Sequence, residues 1–309
     1  MTGAPSRPAG TLRLALTGAG GMLGRELVRA ARERGAPLLA WDRAAVDVTD
    51  ADAVRRALDD ARPDVVIHAA AWTDVDGCEA DAERALRVNA MGTRHVAAAC
   101  RGVGARLLTV STDYVFAGDA TEAYAENAPA GPLNVYGWSK LAAEEATLSL
   151  GRAGSVARTA WLYADHGRNF LLAMLKLAED RRVLRVVDDQ RGAPTWAADL
   201  AGALLDLARA AHERDACGIY HVTNGGTATW NGFARKIFAL TGKDVIVEAV
   251  TSAEFPRPAR RPASSVLADT RRAEAGLSPM PAWEDALARC LKGREGTSAA
   301  DARAAGLRA

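Results

Sequence analysis

The sequence predicts an α/β fold, a doubly wound parallel sheet with a smaller C-terminal substrate-binding lobe, on three observations. Strand and helix patterns alternate through the first half of the 309-residue chain. The expected strands at 37–41, 63–71 and 105–111 are nearly continuous apolar runs, as strands buried on both faces are. A glycine-dense turn joins the first strand, 12–16, to a helix pattern. Together these features indicate a Rossmann-like fold, with function at the carboxyl ends of the strands.

The composition of the chain suggests four segments. Residues 1–11, rich in Pro, Gly and Ala, are expected to form a flexible extension. The dinucleotide-binding domain is assigned to 12–160, with one long helix over 80–102, and a substrate lobe whose segments return to the sheet is assigned to 161–292. The last stretch, 293–309, is rich in Ala, Arg, Gly and Ser and is expected to be a flexible tail.

Charge and cysteine usage exclude several classes of protein. Lys+Arg 39 against Asp+Glu 38 gives a net charge of +1 without a basic stripe, so no nucleic-acid partner is expected. No apolar run approaches the roughly 18 residues of a membrane span. The four cysteines show no C-x-x-C pairing and the five histidines no metal-ligand spacing, so no metal is assigned and a cytoplasmic enzyme with reduced thiols is expected. His68, in a buried strand, is expected to be a satisfied core residue.

The turn itself reads Gly18-x-x-Gly21-x-x-Gly24, with Leu23 where the G-x-G-x-x-G pattern has its third glycine. A helix N-terminus offers unpaired N–H donors to a diphosphate, and glycine lets that anion approach the backbone. An ordinary tight turn is the alternative. Two residues after the second strand bear on the choice of cofactor: an acid such as Asp42 favours NADH, whereas the guanidinium of Arg43 can pair with the 2′-phosphate of NADPH. We therefore expect use of both NADPH and NADH.

A second constellation, Tyr136 and Lys140, has the i, i+4 spacing that places both side chains on one face of a helix. A lysine charge near the phenol is expected to lower its pKa toward the working range of a catalytic acid. Thr112, at the end of the fourth strand, can polarise a substrate carbonyl. The alternative is a half-exposed tyrosine beside a surface lysine, and the position after a dinucleotide fold favours a relay that reduces a ketone.

With these residues in view, the chain resembles the extended short-chain dehydrogenases/reductases, and specifically the dTDP-4-dehydrorhamnose reductase family. The resemblance covers about residues 12 to 290 in the family's order. It rests on Thr17–Gly24, Arg62–Ala71, Ser111–Phe116, Pro132–Lys140, Arg158–Trp161, Asp189–Thr195 and Pro258–Pro262. The last two stretches are specific to this branch of the superfamily.

The resemblance implies a role for each matching residue. Thr112, Tyr136 and Lys140 would be catalytic, with Tyr136 protonating the C4 ketone oxygen of the sugar and Lys140 also binding the cofactor ribose. The other expected cofactor contacts are Gly18, Gly21, Met22, Leu23, Gly24, Asp42, Arg43, Asp47, Val48, Ala69, Ala70 and Ala71. The expected substrate contacts are Thr112, Asp113, Trp161, Asn169, Arg191 and Arg260.

The implied activity is NAD(P)H-dependent reduction of the C4 ketone of a dTDP-4-dehydro-6-deoxyhexose, most readily dTDP-4-dehydro-β-L-rhamnose to dTDP-L-rhamnose. One alternative is a sister reductase of a natural-product deoxysugar pathway. The other is a non-catalytic NADP-binding subunit similar to the regulatory β subunit of methionine adenosyltransferase. Some family members are magnesium-dependent dimers, so a homodimer is expected here, while magnesium is not assigned to any residue.

Overall fold

The computed structural model describes residues 12–304, with side chains described through residue 294. The predicted extension 1–11 and the last five residues lie outside the described part. The first half of the chain contains β1 (Leu14–Thr17), α1 (Met22–Glu33), β2 (Leu38–Trp41), α2 (Ala51–Ala61), β3 (Val65–His68), α3 (Val75–Ala80), α4 (Ala82–Ala85), α5 (Gly92–Val103), β4 (Arg106–Thr112), α6 (Val135–Leu148) and β5 (Gly154–Thr159).

The second half contributes one further strand to the main sheet and several short strand pairs. Its elements are β6 (Leu162–Tyr163), α7 (Phe170–Asp180), β7 (Val183–Val187), β8 (Arg191–Gly192), β9 (Thr195–Trp196), α8 (Ala197–Arg214), β10 (Gly218–His221), β11 (Ala228–Thr229), α9 (Trp230–Thr241), β12 (Ile246–Val250) and α10 (Trp283–Ala304).

The main sheet has six strands in the order β10-β5-β4-β3-β1-β2, and all neighbours are parallel. After β2 the chain returns to the other side of β1, so the strand order reverses between β1 and β3. Ligands bind outside the carboxyl ends of the strands at such a reversal. The predicted Rossmann-like fold is therefore confirmed, and β10 is a segment of the second half that returns to the sheet.

Both faces of the sheet are covered because successive strand residues point to opposite sides. Leu14 and Leu16 of β1 pack into a core with α1 and α8, whereas Ala15 between them packs into a core with α2 and α5. In β3, Val65 and Ile67 face the first core and Val66 faces the second. Apolar residues are thus needed at every position of these strands, which is why they appear as continuous apolar runs.

A separate core holds the second half together. It is rich in aromatic residues and combines α7, α9 and the first turns of α10, with Tyr163, Leu171, Phe233, Trp283 and Leu287 buried in it. The strands β7 and β12 pair in parallel along its edge. This core supports the side of the cleft that faces the sheet's carboxyl ends.

Two elements differ from the sequence-based prediction. The long helix expected over 80–102 is divided into α4, a π-helical segment at Leu86–Met91 and α5, and α3 ends where the expected helix begins. Apolar periodicity does not reveal this division, because a π segment depends on its backbone hydrogen bonds. Helix α10 extends to Ala304, into the segment expected to be a flexible tail from residue 293, and the flexibility of that tail stays a prediction.

Candidate active site

The glycine turn between β1 and α1 contains two close backbone approaches. Gly18 has a φ of +80°, and a Cβ there would lie 2.6 Å from the backbone nitrogen of Ala70. A Cβ on Gly24 would collide with the Gly18 carbonyl oxygen. Gly21 is the N-cap of α1. Because no side chain covers the first N–H groups of α1, the turn fits the diphosphate of a dinucleotide.

A cleft of about 390 Å³ opens beside this turn. It brings together most of the residues that the sequence analysis singled out. Those that line it are Gly18, Gly21, Met22, Leu23, Gly24, Ala69, Ala71, Thr112, Asp113, Tyr136, Lys140 and Trp161. The predicted cofactor turn and the three predicted catalytic residues therefore share one cleft.

The Tyr136 phenol, predicted to be catalytic, is positioned by the start of α6. Asn134 caps this helix, and its side-chain oxygen accepts a hydrogen bond of 2.8 Å from the Gly137 N–H. Burial raises the pKa of Tyr136 above its ordinary value, while a hydrogen bond with Thr112 acts in the opposite direction. A neutral phenol is the form that can donate a proton, so the site holds Tyr136 ready as an acid.

Lys140 is buried, and its ammonium donates a hydrogen bond of 2.8 Å to the carbonyl of Val110. Burial lowers the pKa of Lys140 to about 8, and the nearby Glu144 carboxylate opposes that shift. The expectation that Lys140 brings down the pKa of Tyr136 is wrong for this structure. Burial raises the phenol's pKa, and the ammonium is bonded to a backbone carbonyl on β4.

Asp113 lies directly beside the predicted relay. Its carboxylate accepts a hydrogen bond of 2.9 Å from the Thr112 hydroxyl and another from the Ser265 hydroxyl. Burial raises the pKa of Asp113 to about 6, and these hydrogen bonds oppose the shift. The Thr112 hydroxyl thus has its orientation set by a residue that also lines the cleft.

An ion pair that sequence reasoning missed supports α6 from the β5 side. Arg158 on β5 binds Glu144 through both Nε (2.9 Å) and Nη2 (2.6 Å), and both side chains are almost completely buried. The Ser111 hydroxyl also donates to Glu144. Glu144 is four residues after Lys140, so the same helical face carries both. The sequence signal that could have revealed this pair is a charged residue, Arg158, within an otherwise uncharged strand.

Asn89 is a second missed residue. It lies in the π-helical segment, and its side chain accepts a hydrogen bond of 2.7 Å from the Trp72 N–H and donates one of 2.9 Å to the Ser139 hydroxyl. It therefore joins the segment after β3 to α6. No spacing or composition in the sequence distinguishes this asparagine from others.

A second cavity of about 270 Å³ shares Gly18 and Gly21 with the cleft. The predicted cofactor contacts that line it are Arg43, Asp47, Val48, Ala69, Ala70 and Ala71. Asp42 does not line either cavity, and its carboxylate accepts a hydrogen bond of 2.9 Å from the Ala45 N–H. The exposed Arg43 lies 3.2 Å from Asp47. Sequence reasoning missed Arg84, which lines this cavity above the Trp72 ring.

Three predicted substrate contacts do not line the cleft. Asn169 caps α7, accepting a hydrogen bond of 3.1 Å from the Leu172 N–H. Arg191 is exposed on β8, and Arg260 is exposed in a loop where its carbonyl accepts a hydrogen bond of 2.8 Å from Asn134. Direct contact between these three side chains and a substrate remains a prediction.

Other residues form the side of the cleft that the second half of the chain supplies. Trp161, at a φ of +47°, stacks on Trp230 with ring centroids 3.6 Å apart. Arg168 is exposed at the rim, and from the first half of the chain Tyr114 lies edge-on to Tyr136. Trp230 and Arg168 carried no sequence signal, because they belong to no spaced motif with chemical meaning, whereas Tyr114 lies in the Ser111–Phe116 stretch without a role having been assigned to it.

His68 is a satisfied core residue, as predicted. Its ring nitrogens lie 2.6 Å from the Thr17 hydroxyl and 3.0 Å from the Thr93 hydroxyl, and burial lowers its pKa to about 3. Away from the cleft, Glu26, Asp165 and His166 place possible metal-ligand atoms within 4.8 Å of one another. No helix in the described 12–304 segment is long and apolar enough to cross a membrane.

Comparison with known proteins places the chain in a family. The family model described as the RmlD substrate binding domain matches residues 12–295. The chain belongs to the RmlD family. It is 49% identical to a dTDP-4-dehydrorhamnose reductase of Streptomyces griseus over 89% of this chain and 91% of that relative. It is 43% identical to a dTDP-4-keto-6-deoxy-D-glucose reductase of Streptomyces niveus over 90% and 96% of the two chains.

A solved RmlD-family structure has the same fold. The dTDP-4-dehydrorhamnose reductase of Bacillus anthracis, in complex with NADP, superposes with a TM-score of 0.87 at 37% identity. The alignment covers 92% of this chain and 99% of that one. The family resemblance inferred from the motifs is therefore confirmed.

Proposed function

We propose that this protein is an NADPH-dependent reductase of the C4 ketone of a dTDP-4-dehydro-6-deoxyhexose, converting dTDP-4-dehydro-β-L-rhamnose to dTDP-L-rhamnose. The observation that carries the proposal is the single cleft shared by the glycine turn and by Thr112, Tyr136 and Lys140. The names of the Streptomyces griseus and Bacillus anthracis relatives support the substrate class.

The residues divide the reduction between them. When bound, NADPH supplies the hydride that adds to C4 of the sugar. Tyr136 donates its phenolic proton to the ketone oxygen, so that the C=O bond becomes an alcohol. Thr112, hydrogen-bonded to both Tyr136 and Asp113, orients the carbonyl toward the phenol. Lys140, whose ammonium is bonded to the Val110 carbonyl, supplies a positive charge in the cleft and binds the ribose of the cofactor.

Two alternatives are separable from this proposal. A sister reductase is favoured by the name of the Streptomyces niveus relative, a dTDP-4-keto-6-deoxy-D-glucose reductase. It would reduce dTDP-4-dehydro-6-deoxyglucose before any epimerisation of the sugar. A non-catalytic regulatory subunit would have no chemical need of Tyr136 hydrogen-bonded to Thr112 in a cofactor cleft.

The deciding experiment supplies dTDP-4-dehydro-6-deoxyglucose and NADPH with and without a 3,5-epimerase, and identifies the product sugar. We expect dTDP-L-rhamnose in the presence of the epimerase and little reduction in its absence. A dTDP-6-deoxyhexose formed equally well without the epimerase would favour the sister reductase. No reduction in either reaction, with NADPH bound, would favour the regulatory subunit.

A further inference from the structure

Arg168 is a solvent-exposed cation at the rim of the cleft, and it belongs to none of the recognised motifs. It lines the cleft together with Gly21, Met22 and Leu23 of the glycine turn. It also lies in the segment between β6 and α7, on the side of the cleft where Trp161 stacks on Trp230. Arg168 therefore lines a cleft to which both the cofactor turn and the aromatic side contribute.

The segment around Arg168 is held against α1 at both of its neighbours. Gly167 has a φ of +76°, and a Cβ there would lie 3.7 Å from the Met22 side chain, which is ordinary contact distance. The Asn169 amide lies 3.6 Å from the sulfur of Met22 and donates to the carbonyls of Ala164 and His166. The segment that carries Arg168 is thus held against α1, and Arg168 itself lines the cleft.

Arg168 has no anionic partner among the residues that line the cleft. Only one carboxylate, Asp113, lines the cleft, and it is buried and engaged by Thr112 and Ser265. The other lining cation, Lys140, is buried and bonded to the Val110 carbonyl. Arg168 forms no hydrogen bond or ion pair with any residue whose side chain is described. A free guanidinium therefore faces a cleft that has no free carboxylate to pair with it.

Resting on the proposed function, we infer that Arg168 binds a diphosphate in this cleft. Both ligands of the proposed reaction carry one, and a guanidinium binds phosphate oxygens in a planar, two-pronged geometry that an ammonium lacks. Its proximity to Met22 and Gly21 fits the diphosphate of NADPH, which the N-terminus of α1 receives. Its proximity to the Trp161 side fits the diphosphate of the dTDP-sugar. In both cases Arg168 would contact a diphosphate and so raise the affinity for the ligand that carries it.

The test uses binding rather than turnover, with the full chain. Arg168→Gln removes the charge, Arg168→Lys keeps the charge without the fork, and Lys176→Gln is the control. Lys176 is an exposed cation on α7 that does not line the cleft. NADPH affinity is measured by nicotinamide fluorescence in the absence of sugar. The affinity for dTDP and for thymidine is measured by calorimetry with NADP⁺ bound, and adenosine 2′-monophosphate serves as a cofactor fragment without a diphosphate.

We expect Arg168→Gln to weaken one of the two diphosphate ligands about tenfold, the low end for a charge-assisted contact because the side chain is exposed. Arg168→Lys should lose part of that affinity and Lys176→Gln none. Weakening of NADPH assigns the contact to the cofactor, and weakening of dTDP assigns it to the substrate. Thymidine and adenosine 2′-monophosphate should bind all variants equally.

The inference is overturned if Arg168→Gln binds both NADPH and dTDP as the unmodified protein does. It is also overturned if thymidine or adenosine 2′-monophosphate is weakened as much as its diphosphate counterpart, because the loss would then come from reorganisation of the cleft. Because these are binding measurements, they can fail while the protein still reduces its sugar, so they do not decide the proposed function. Thermal unfolding of the variants checks that each is folded.

Discussion

One wall of the cleft consists of β4 and α6 and is called the catalytic wall here, after its predicted residues. The facing wall consists of loops from the second half of the chain and is called the recognition wall. In the first wall Thr112, Lys140 and Glu144 are buried, and their partners come from adjacent strands and one helix. In the second wall Trp161 and Trp230, which are 69 positions apart in the sequence, stack on each other. The predicted catalytic residues thus lie on regular secondary structure, whereas the side predicted to recognise the ligand depends on contacts between loops far apart in the chain.

Asp76 on α3 attaches a further loop of the second half to the first half of the chain. Its carboxylate binds Arg261 and lies 2.9 Å from Nη2 of Arg257, and it accepts a hydrogen bond of 3.2 Å from the Ala259 N–H. Arg261 also hydrogen-bonds Tyr114, whose ring lies edge-on to Tyr136. The loop containing Arg257 and Arg261 is thereby attached to α3, beside the catalytic wall.

The largest effect is expected in the catalytic wall. Tyr136→Phe removes the proton donor and keeps the ring, so kcat should fall by roughly 10²–10⁴-fold. NADPH affinity and the unfolding transition should be unchanged. Steady-state kinetics with the dTDP-sugar measure this, and a Phe variant within a few fold of the unmodified enzyme would remove Tyr136 from the mechanism.

The buried Glu144–Arg158 ion pair beneath the catalytic wall is expected to contribute strongly to the free energy of unfolding. Glu144→Gln leaves the Arg158 guanidinium buried without its counter-ion, which should cost about 3–5 kcal/mol in the free energy of unfolding. The control is Glu83→Gln, which breaks an exposed pair with Arg87 and should change stability by less than about 1 kcal/mol. Urea titration compares the two variants. Equal, small losses would show that the buried pair contributes little.

A pH profile tests the charge on Lys140. Because the pKa of Lys140 is lowered to about 8, the ammonium is present below pH 8 and lost above it. If its charge is needed, kcat/KM for NADPH should fall about tenfold per pH unit well above pH 8. Circular dichroism over the same range excludes unfolding as the cause. A flat profile from pH 7 to 10 would contradict the assigned role.

Substitution of Asp76 tests the Arg257–Arg261 loop without changing a predicted catalytic residue. Asp76→Asn weakens the attachment of the Arg257–Arg261 loop, so KM for the dTDP-sugar should rise about tenfold while the NADPH affinity is retained. Arg261→Ala should behave in the same way, since its side chain is 15% exposed, whereas Arg257→Ala, at 53%, should have little effect. An equal loss of NADPH affinity would mean that the loop supports both ligands.

The smallest expected effect concerns the choice of cofactor. Arg43 lines the cavity beyond the glycine turn and Asp42 does not, so Arg43→Ala should weaken NADPH about tenfold and leave NADH nearly unchanged. Asp42→Asn is the matched control and should alter neither. Values of kcat/KM for the two cofactors measure this. Equal losses for NADPH and NADH in Arg43→Ala would show that this guanidinium does not contact the 2′-phosphate.

Much of the fold and of the catalytic wall was predictable because their signals are local. Apolar runs identified β1, β3 and β4, since strands covered on both faces must be apolar throughout. Two glycines were predicted at positions where a side chain would meet Ala70 or the Gly18 carbonyl. The spacing of Tyr136 and Lys140 is a property of one helix.

The sequence by itself determined the glycine turn, most of the order of elements and the predicted catalytic side chains that share its cleft, because each depends on residues within one or two turns or strands. Only the tertiary structure decided the electrostatics and the recognition wall. The pKa of Tyr136 is raised because its phenol is buried, and no local sequence pattern reveals how deeply one side chain is buried. The position of Arg168 in the cleft and the partners of Asp76 and Trp161 are decided by packing between segments far apart in the chain, where local propensity carries no information.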